Sequence, residues 1–151
     1  MLKFLMILAT TLCVMQGALA QTPGVIEVHS THTIKLTMQR LKDAIQQRHL
    51  QITAEIDHSG AAQKAGLSLL PTKLVIFGNP TLGTKLMEIN QIAGLALPLK
   101  VLVWQDAQGQ VWLAYNDPAA FAQQYGIDPQ SGPVQTMTKA LHAITAQAAE
   151  S

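Results

Sequence analysis

The spacing of apolar residues changes several times along the chain, and each change marks a predicted element. Residues 25–30 are predicted to form a strand, after which the period becomes that of a helix. This helix is predicted to begin after Thr33, a suitable N-cap, and to end near His49. Its apolar stripe consists of Ile34, Met38, Leu41 and Ile45. From residue 50 to Asp57 apolar and polar residues alternate, which predicts a half-buried strand.

The middle of the chain is divided by glycine, asparagine and proline. A short Ala-rich helical turn at residues 61–65 is predicted to stop at Gly66, and residues 73–77 form a continuous apolar strand. Asn79 followed by Pro80 is a typical N-cap and first-position pair. A helix is therefore predicted from this pair to about residue 90.

A β-hairpin is predicted from residues 99–105 and 110–115. Gly109 ends the loop between them, which is typical of a type I turn closed by a left-handed residue. With a three-residue loop, Trp104 lies opposite Trp112. In the same register Leu102 faces Ala114, and the other face of the hairpin carries Val101, Val103, Val111, Leu113 and Tyr115. Both faces of the hairpin are therefore predicted to be apolar.

Asp117 and Pro118 cap another short helix that is predicted to end at Gly126. A linker and a C-terminal amphipathic helix are predicted within residues 128–151. The order of elements predicts a two-layer α+β domain. Its antiparallel sheet would carry the main helices on one face, with an extra C-terminal helix.

Few helices are available to cover a sheet whose two faces are both apolar. Either the far face binds a partner, or the short helices fold over it. A homodimer is the favoured interpretation, because an uncovered apolar surface lowers solubility.

Residues 1–20 are predicted to be a signal peptide that is cut after Ala20. They carry one positive charge at Lys3, an apolar run from residue 4 to residue 15, and the small residues Ala18 and Ala20 at the cleavage site. The run is shorter than the ~20 residues that span a bilayer. The protein is thus expected to be periplasmic or secreted, without a stable membrane anchor after processing.

Composition narrows the chemistry further. Cys13, the only cysteine, lies in the predicted leader, so disulfides and thiol catalysis are not expected in the mature chain. The formal net charge of the whole chain is +1 and there is no basic cluster, so nucleic acid is not an expected partner. Five histidines are present, but no ligand set converges in sequence, so no metal site is predicted. No feature indicates a cofactor.

The chain resembles the domain of unknown function 302 family over residues 24–127, in the three segments IDHSGAAQKAGLSL, PTKLVIFGNPTLGTKLM and LALPLKVLVWQDAQGQVWLAYNDP. The resemblance implies a β-α-β(4)-α fold of the kind grouped with TATA-binding-protein-like domains, often dimeric, and no established activity. Many members are expected to carry an acidic residue where Ala96 stands here. The helix after Gly132 lies beyond the resemblance and is interpreted as an addition.

Two groups of polar residues are candidates for a site. His58 could act as a general acid/base, oriented by Asp57 or Glu55, because its ordinary pKa of about 6.5 is suitable. Amides at the helix start near Asn79 could hold an anionic group. The simpler interpretation is that Asp57 and Asn79 are helix caps and that His58 hydrogen-bonds to the backbone. The candidate ligand-binding residues are Asn79, Gly83 and Thr84.

Two functions remain open from the sequence. The favoured one is a dimeric binding or interaction module with a small-ligand site where residues 57–58 and the Gly78-Asn79-Pro80 turn meet at one rim of the sheet. The alternative is an enzyme that uses His58 on a small anionic substrate.

Overall fold

A computed structural model describes residues 22–150. The predicted signal peptide therefore lies outside the described residues. The strands are β1 (Val25–Ser30), β2 (Gln51–Asp57), β3 (Thr72–Gly78), β4 (Leu99–Gln105) and β5 (Val111–Asn116). The helices are α1 (Ile34–Gln47), α2 (His58–Lys64), α3 (Pro80–Ile89), α4 (Pro118–Gln124) and α5 (Gly132–Ala149), and a 3-10 helix spans Gln91–Ala96.

The five strands form one antiparallel sheet in the order β1-β5-β4-β3-β2. The first strand thus pairs with the last, and β2 and β3 follow each other at the opposite edge. Gln51 at the beginning of β2 pairs with Gly78 at the end of β3, and Asp57 pairs with Lys73 at the other end of the two strands.

The hydrophobic core lies between one face of the sheet and the helices α1 and α5. Phe77, Val101 and Leu113 point from three neighbouring strands into this core and are fully buried. Leu41 of α1 and Leu141 of α5 meet them from the helix side. The two-layer α+β architecture predicted from the sequence is confirmed.

The hairpin has the predicted register, with Leu102 opposite Ala114 and Trp104 opposite Trp112. Directly opposed residues in an antiparallel pair share a face, so the face away from the helices can be traced across the sheet. We call it the open face. Its apolar residues are Ala54, Ile56, Leu74, Ile76, Leu102, Trp104, Trp112 and Ala114.

The helices lie elsewhere. Helices α1 and α5 pack on the other face, and α3 and α4 contact α5. Helix α2 contacts β3 but buries none of its own residues. Apart from Ala114, which is 9% exposed, the open-face residues are half-buried or exposed, and Ile56 is 38% exposed. The less favoured interpretation, in which the short helices fold over this face, therefore does not hold for residues 22–150.

Helix α5 is an integral part of the domain, which corrects its interpretation as an addition. Seven of its residues are buried, and it is the main packing partner of α1. The Arg40 guanidinium of α1 donates to the carbonyl oxygens of Gln147 and Glu150 at the C-terminal end of α5. Arg48 donates to the side-chain oxygen of Gln147 at 2.8 Å. A cation at this end also interacts favourably with the helix dipole.

Candidate functional site

Asn79 is the N-cap of α3, as the sequence predicts. Its side-chain oxygen accepts hydrogen bonds from the backbone amides of Thr81 at 2.9 Å and Leu82 at 3.3 Å. The Gly83 amide donates to the Asn79 carbonyl at 3.0 Å. Pro80, at the first helical position, has no amide hydrogen to offer. The amides at this helix start are therefore already satisfied within the chain, so an anion would have to displace the cap to bind there.

Beside this helix start lies a cavity of about 380 Å³, which we call the α3 cavity. It is bounded by α3, the 3-10 helix, the strand ends at Gly78 and Leu99, and α5. Most of its surface is apolar, provided by Leu82, Met87, Leu97 and Met137 among others. The three candidate ligand-binding residues, Asn79, Gly83 and Thr84, all line it.

The candidate acid and imidazole lie elsewhere. Asp57 and His58 are at the far end of β2, while Gly78 pairs with Gln51 at its beginning. The two ends of β2 are six residues apart. At about 3.3 Å per residue, the distance between them is roughly 20 Å. The prediction that residues 57–58 and the Gly78-Asn79-Pro80 turn meet at one rim of the sheet is therefore wrong. Antiparallel pairing places the end of β2 beside the start of β3, not beside its end.

Asp57 is a helix cap with three hydrogen-bond partners. Lys73 Nζ lies 2.7 Å from Asp57 Oδ2, and Asp57 Oδ1 accepts from Ser59 Oγ at 2.7 Å and from the Gly60 amide at 2.8 Å. These interactions, led by the hydrogen bond from Lys73, hold the pKa of Asp57 well below its ordinary value of 3.8. The carboxyl group is thus ionised and engaged.

His58 is exposed at the first position of α2. Among residues 22–150, no hydrogen bond joins it to Asp57 or to Glu55. Glu55 instead forms an ion pair with Lys42 of α1, at 3.1 Å. Within the described residues, the His58 imidazole is thus not hydrogen-bonded to either candidate carboxylate at this end of β2. A second depression, also of about 380 Å³, lies beside Asp57 and is lined by polar and apolar residues of α2 and the following loop.

A second group of polar and aromatic side chains lies at the hairpin end of the open face. Trp104 and Trp112 are stacked with ring centroids 6.4 Å apart, and His29 meets Trp112 edge-on at 5.0 Å. Trp112 Nε1 donates to Asp106 Oδ2 at 2.9 Å, and this bond is the main reason that the pKa of Asp106 is lowered. The side-chain oxygen Oε1 of Gln110 accepts a hydrogen bond from His29 Nε2 at 2.9 Å. These contacts fix the orientation of the aromatic rings.

Two further findings concern metal binding and membrane insertion. Within residues 22–150, no group of three or more histidine, aspartate or glutamate side chains is arranged to hold a metal ion. Over the same residues, none of the helices has the length and apolar character required to traverse a bilayer.

The structure is thus a two-layer α+β domain in which the candidate residues Asp57 and Asn79 are helix caps. The chain belongs to the family described as "Domain of unknown function DUF302", which matches residues 26–147. This confirms the resemblance in the sequence. The family match extends into α5, beyond residues 24–127 over which the sequence shows the resemblance.

A solved relative supports the fold. The chain is similar to the crystal structure of an uncharacterized conserved DUF302 protein from Bacillus stearothermophilus, with a TM-score of 0.76 and 19% identity. The alignment covers 84% of this chain and 99% of that one. At this identity the likeness concerns the fold alone.

Curated relatives are similar over most of the chain. The chain is 37% identical over 127 residues to "Fluoride-specific ion channel FluC 1" from Brucella suis biovar 1 (strain 1330), covering 83% of this chain and 50% of that protein. It is also 37% identical to the protein of the same name from Brucella abortus biovar 1 (strain 9-941), covering 47% of it. The chain thus spans about half the length of the curated relatives it matches.

Proposed function

We propose that the protein is an exported, homodimeric binding module in which two copies associate through their open faces. The observation that carries this proposal is an apolar sheet face that none of the helices within residues 22–150 covers. Leu74 and Leu102 occupy its centre and are only half-buried in a single chain. Burying such residues removes apolar surface from water, which stabilises the dimer by about 25 cal/mol for each Å² buried.

The dimensions of the open face suit a dimer. Five strands about 4.8 Å apart and about 20 Å long give a flat footprint of roughly 500 Å² per copy, hence roughly 1,000 Å² for two. Side-chain relief increases this figure towards the ~1,200–2,000 Å² of specific interfaces. The distribution of polarity is also suitable, because Glu27 and His29 lie at the β1 edge and Thr72 lies beside Trp104. A polar rim around an apolar centre is typical of protein interfaces.

The symmetric arrangement explains why the second copy is a natural partner. A two-fold interface places the same apolar patch on both sides, so it needs no other complementary surface. Sheets that pack face to face also align their strands at a modest angle, which lets the tryptophan pairs interdigitate with the leucines.

Light scattering coupled to size-exclusion chromatography tests this proposal. We expect wild type to have twice the mass of one chain at micromolar concentrations, and Leu102→Asp to be monomeric with an unchanged circular-dichroism spectrum. Leu36→Asp is the matched control, because Leu36 is 45% exposed on α1, the helix that packs on the other face of the sheet. It should remain dimeric. A monomeric wild type would overturn the proposal.

Export is the second part of the proposal, and it rests on the leader-like residues 1–20. Expression of the full chain in a Gram-negative host should yield a periplasmic protein whose mass corresponds to a start at Gln21. Ala18→Asp and Ala20→Asp together should cause the uncut precursor to accumulate. An uncut wild-type chain in the cytoplasm would contradict this part alone.

A second candidate function is suggested by the curated relatives. About half of each is similar to this chain, and the whole is named a fluoride-specific ion channel. The module could therefore accompany such a channel as a separate subunit. Co-purification with a co-expressed fluoride channel, and increased fluoride sensitivity of a strain that lacks this protein, would support the role. Unchanged sensitivity and no co-purification would argue against it.

A further inference from the structure

We propose that the α3 cavity binds an uncharged aliphatic ligand, of the class of medium-chain alcohols or esters. This deepens the binding role proposed above by naming the ligand class, but it depends on a different region of the molecule from the dimer.

The lining carries no charge. None of the described residues that surround the cavity is acidic or basic, and most of the surface they contribute is apolar. An ionised ligand would lose its hydration on entry and find no counter-charge, which is unfavourable. An uncharged aliphatic ligand would instead leave water and pack against Leu82, Leu97 and Met137, which is favourable.

The start of α3 does not supply the missing positive potential. The Asn79 side chain and carbonyl accept from the amides of Thr81, Leu82 and Gly83, as described above. The polar side chains that remain at the mouth of the cavity are exposed and uncharged, namely Gln51, Thr53 and Thr84. Amide and hydroxyl groups of this kind hydrogen-bond to a neutral hydroxyl or carbonyl group as well as to water.

Two glycines help to keep the cavity open. A Cβ at Gly94 would lie 3.1 Å from Met87 Sδ, and one at Gly83 would lie 3.4 Å from Leu97 Cδ1. Larger residues there would push side chains into the space that is now free. The methionines beside this space, Met87 and Met137, are flexible enough to adapt to an irregular aliphatic ligand.

The volume fits a ligand of this type. About 380 Å³ is more than twice the ~150 Å³ of an apolar cavity that accepts benzene. It falls within the ~300–1,000 Å³ range of ligand pockets, towards the small end. A chain of moderate length is therefore expected, rather than a large polycyclic molecule.

Titration calorimetry with 1-hexanol, 1-octanol, octanoate and inorganic phosphate tests the proposal. We expect saturable binding of the alcohols, with an affinity gain of about three- to fourfold for each methylene buried. Octanoate should bind at least tenfold more weakly than octanol, and phosphate should not bind. Tighter binding of octanoate or phosphate, or no saturable binding of octanol, would overturn the proposal.

Variants locate the site. Ala140→Leu fills the cavity from α5 and should weaken octanol binding at least tenfold. Ala143→Leu is the matched control, because Ala143 is on the same helix, half-buried and outside the cavity lining. This variant should bind octanol with the wild-type affinity. Both variants must keep the wild-type circular-dichroism spectrum.

The open face is the competing apolar surface, so Leu102→Asp is titrated in parallel. The proposal requires that this variant binds octanol like wild type, whatever its oligomeric state. Octanol binding that disappears in Leu102→Asp but persists in Ala140→Leu would place the ligand on the open face and overturn the proposal. Failure of the dimer and failure of the cavity are thus measured separately.

Discussion

The two faces of the sheet are built from the same kinds of residue but have different surroundings. On the covered face, Leu113 and Val101 lie fully buried against α1 and α5. On the open face, Leu102 and Trp112 are their neighbours in the same strands and are only half-buried. Apolar character in a strand therefore does not reveal whether a helix, a second chain or water lies above it. Only the number and position of the helices decide this.

The largest expected effect compares two leucines of the hairpin. Leu113→Ala should lower the free energy of unfolding by about 3–5 kcal/mol, because it leaves a cavity in the packed core. Leu102→Ala should cost about 1 kcal/mol or less in a monomer, since its site is already open to water. Urea denaturation measures both. In the dimer, the cost of Leu102→Ala should rise and depend on protein concentration.

Equal costs at all concentrations would contradict the difference between the faces. They would mean that Leu102 is packed as tightly as Leu113 within a single chain.

A smaller effect separates two consecutive residues of β1. Ser30 is 3% exposed on the covered face and its Oγ lies 2.7 Å from Thr37 Oγ1. Ser30→Ala removes this buried hydrogen bond, together with the one that Ser30 Oγ accepts from the His32 amide, and should cost about 1–2 kcal/mol. His29, on the open face, is exposed, and His29→Ala should change stability by no more than about 0.5 kcal/mol. Thermal unfolding of the two variants checks the order, and a larger loss for His29→Ala would reverse the comparison.

The smallest effect concerns pH. Asp57, at the end of β2, and Asp106, in the hairpin loop, both have a lowered pKa. The largest cause is the hydrogen bond from Lys73 for Asp57 and the hydrogen bond from Trp112 for Asp106. A carboxyl whose pKa is lower in the folded state stabilises the fold above its ordinary pKa of 3.8. This stabilisation is lost as the pH falls from about 4 towards the lowered values.

Asp57→Asn and Asp106→Asn should each flatten the loss of stability below about pH 4. Asp106→Asn should also change the tryptophan fluorescence, because its partner is Trp112 Nε1. Urea titrations between pH 2 and pH 7 measure the first effect. A pH profile identical to wild type in both variants would refute the contribution of these two carboxyl groups.

Much of the fold could be predicted from local patterns. The amphipathic period of α1, the Asn79-Pro80 start of α3 and the Gly109 loop each specify a local conformation, and the structure has all of them. The hairpin register followed from the loop length alone. Such features depend on residues within a few positions of one another, which is why they can be inferred from one sequence.

The site could be predicted only in part. Asn79, Gly83 and Thr84 line the cavity together because they share one helix start. Asp57 and His58 were expected beside them, but that expectation needed the direction of β3 relative to β2, which residue types do not reveal. Met87, Leu97 and Met137 were missed as lining residues, since an apolar side chain in a cavity resembles one in the core.

The pairing of β1 with β5 has a consequence for how the chain becomes a folded protein. Val25 pairs with Asn116, so more than half of the chain must be available before the first strand finds its neighbour. Arg40 and Arg48 find their acceptors later still, at the end of α5. A polypeptide that is stalled, nicked or truncated ahead of this point keeps an unsatisfied strand edge and becomes a substrate for aggregation or proteolysis.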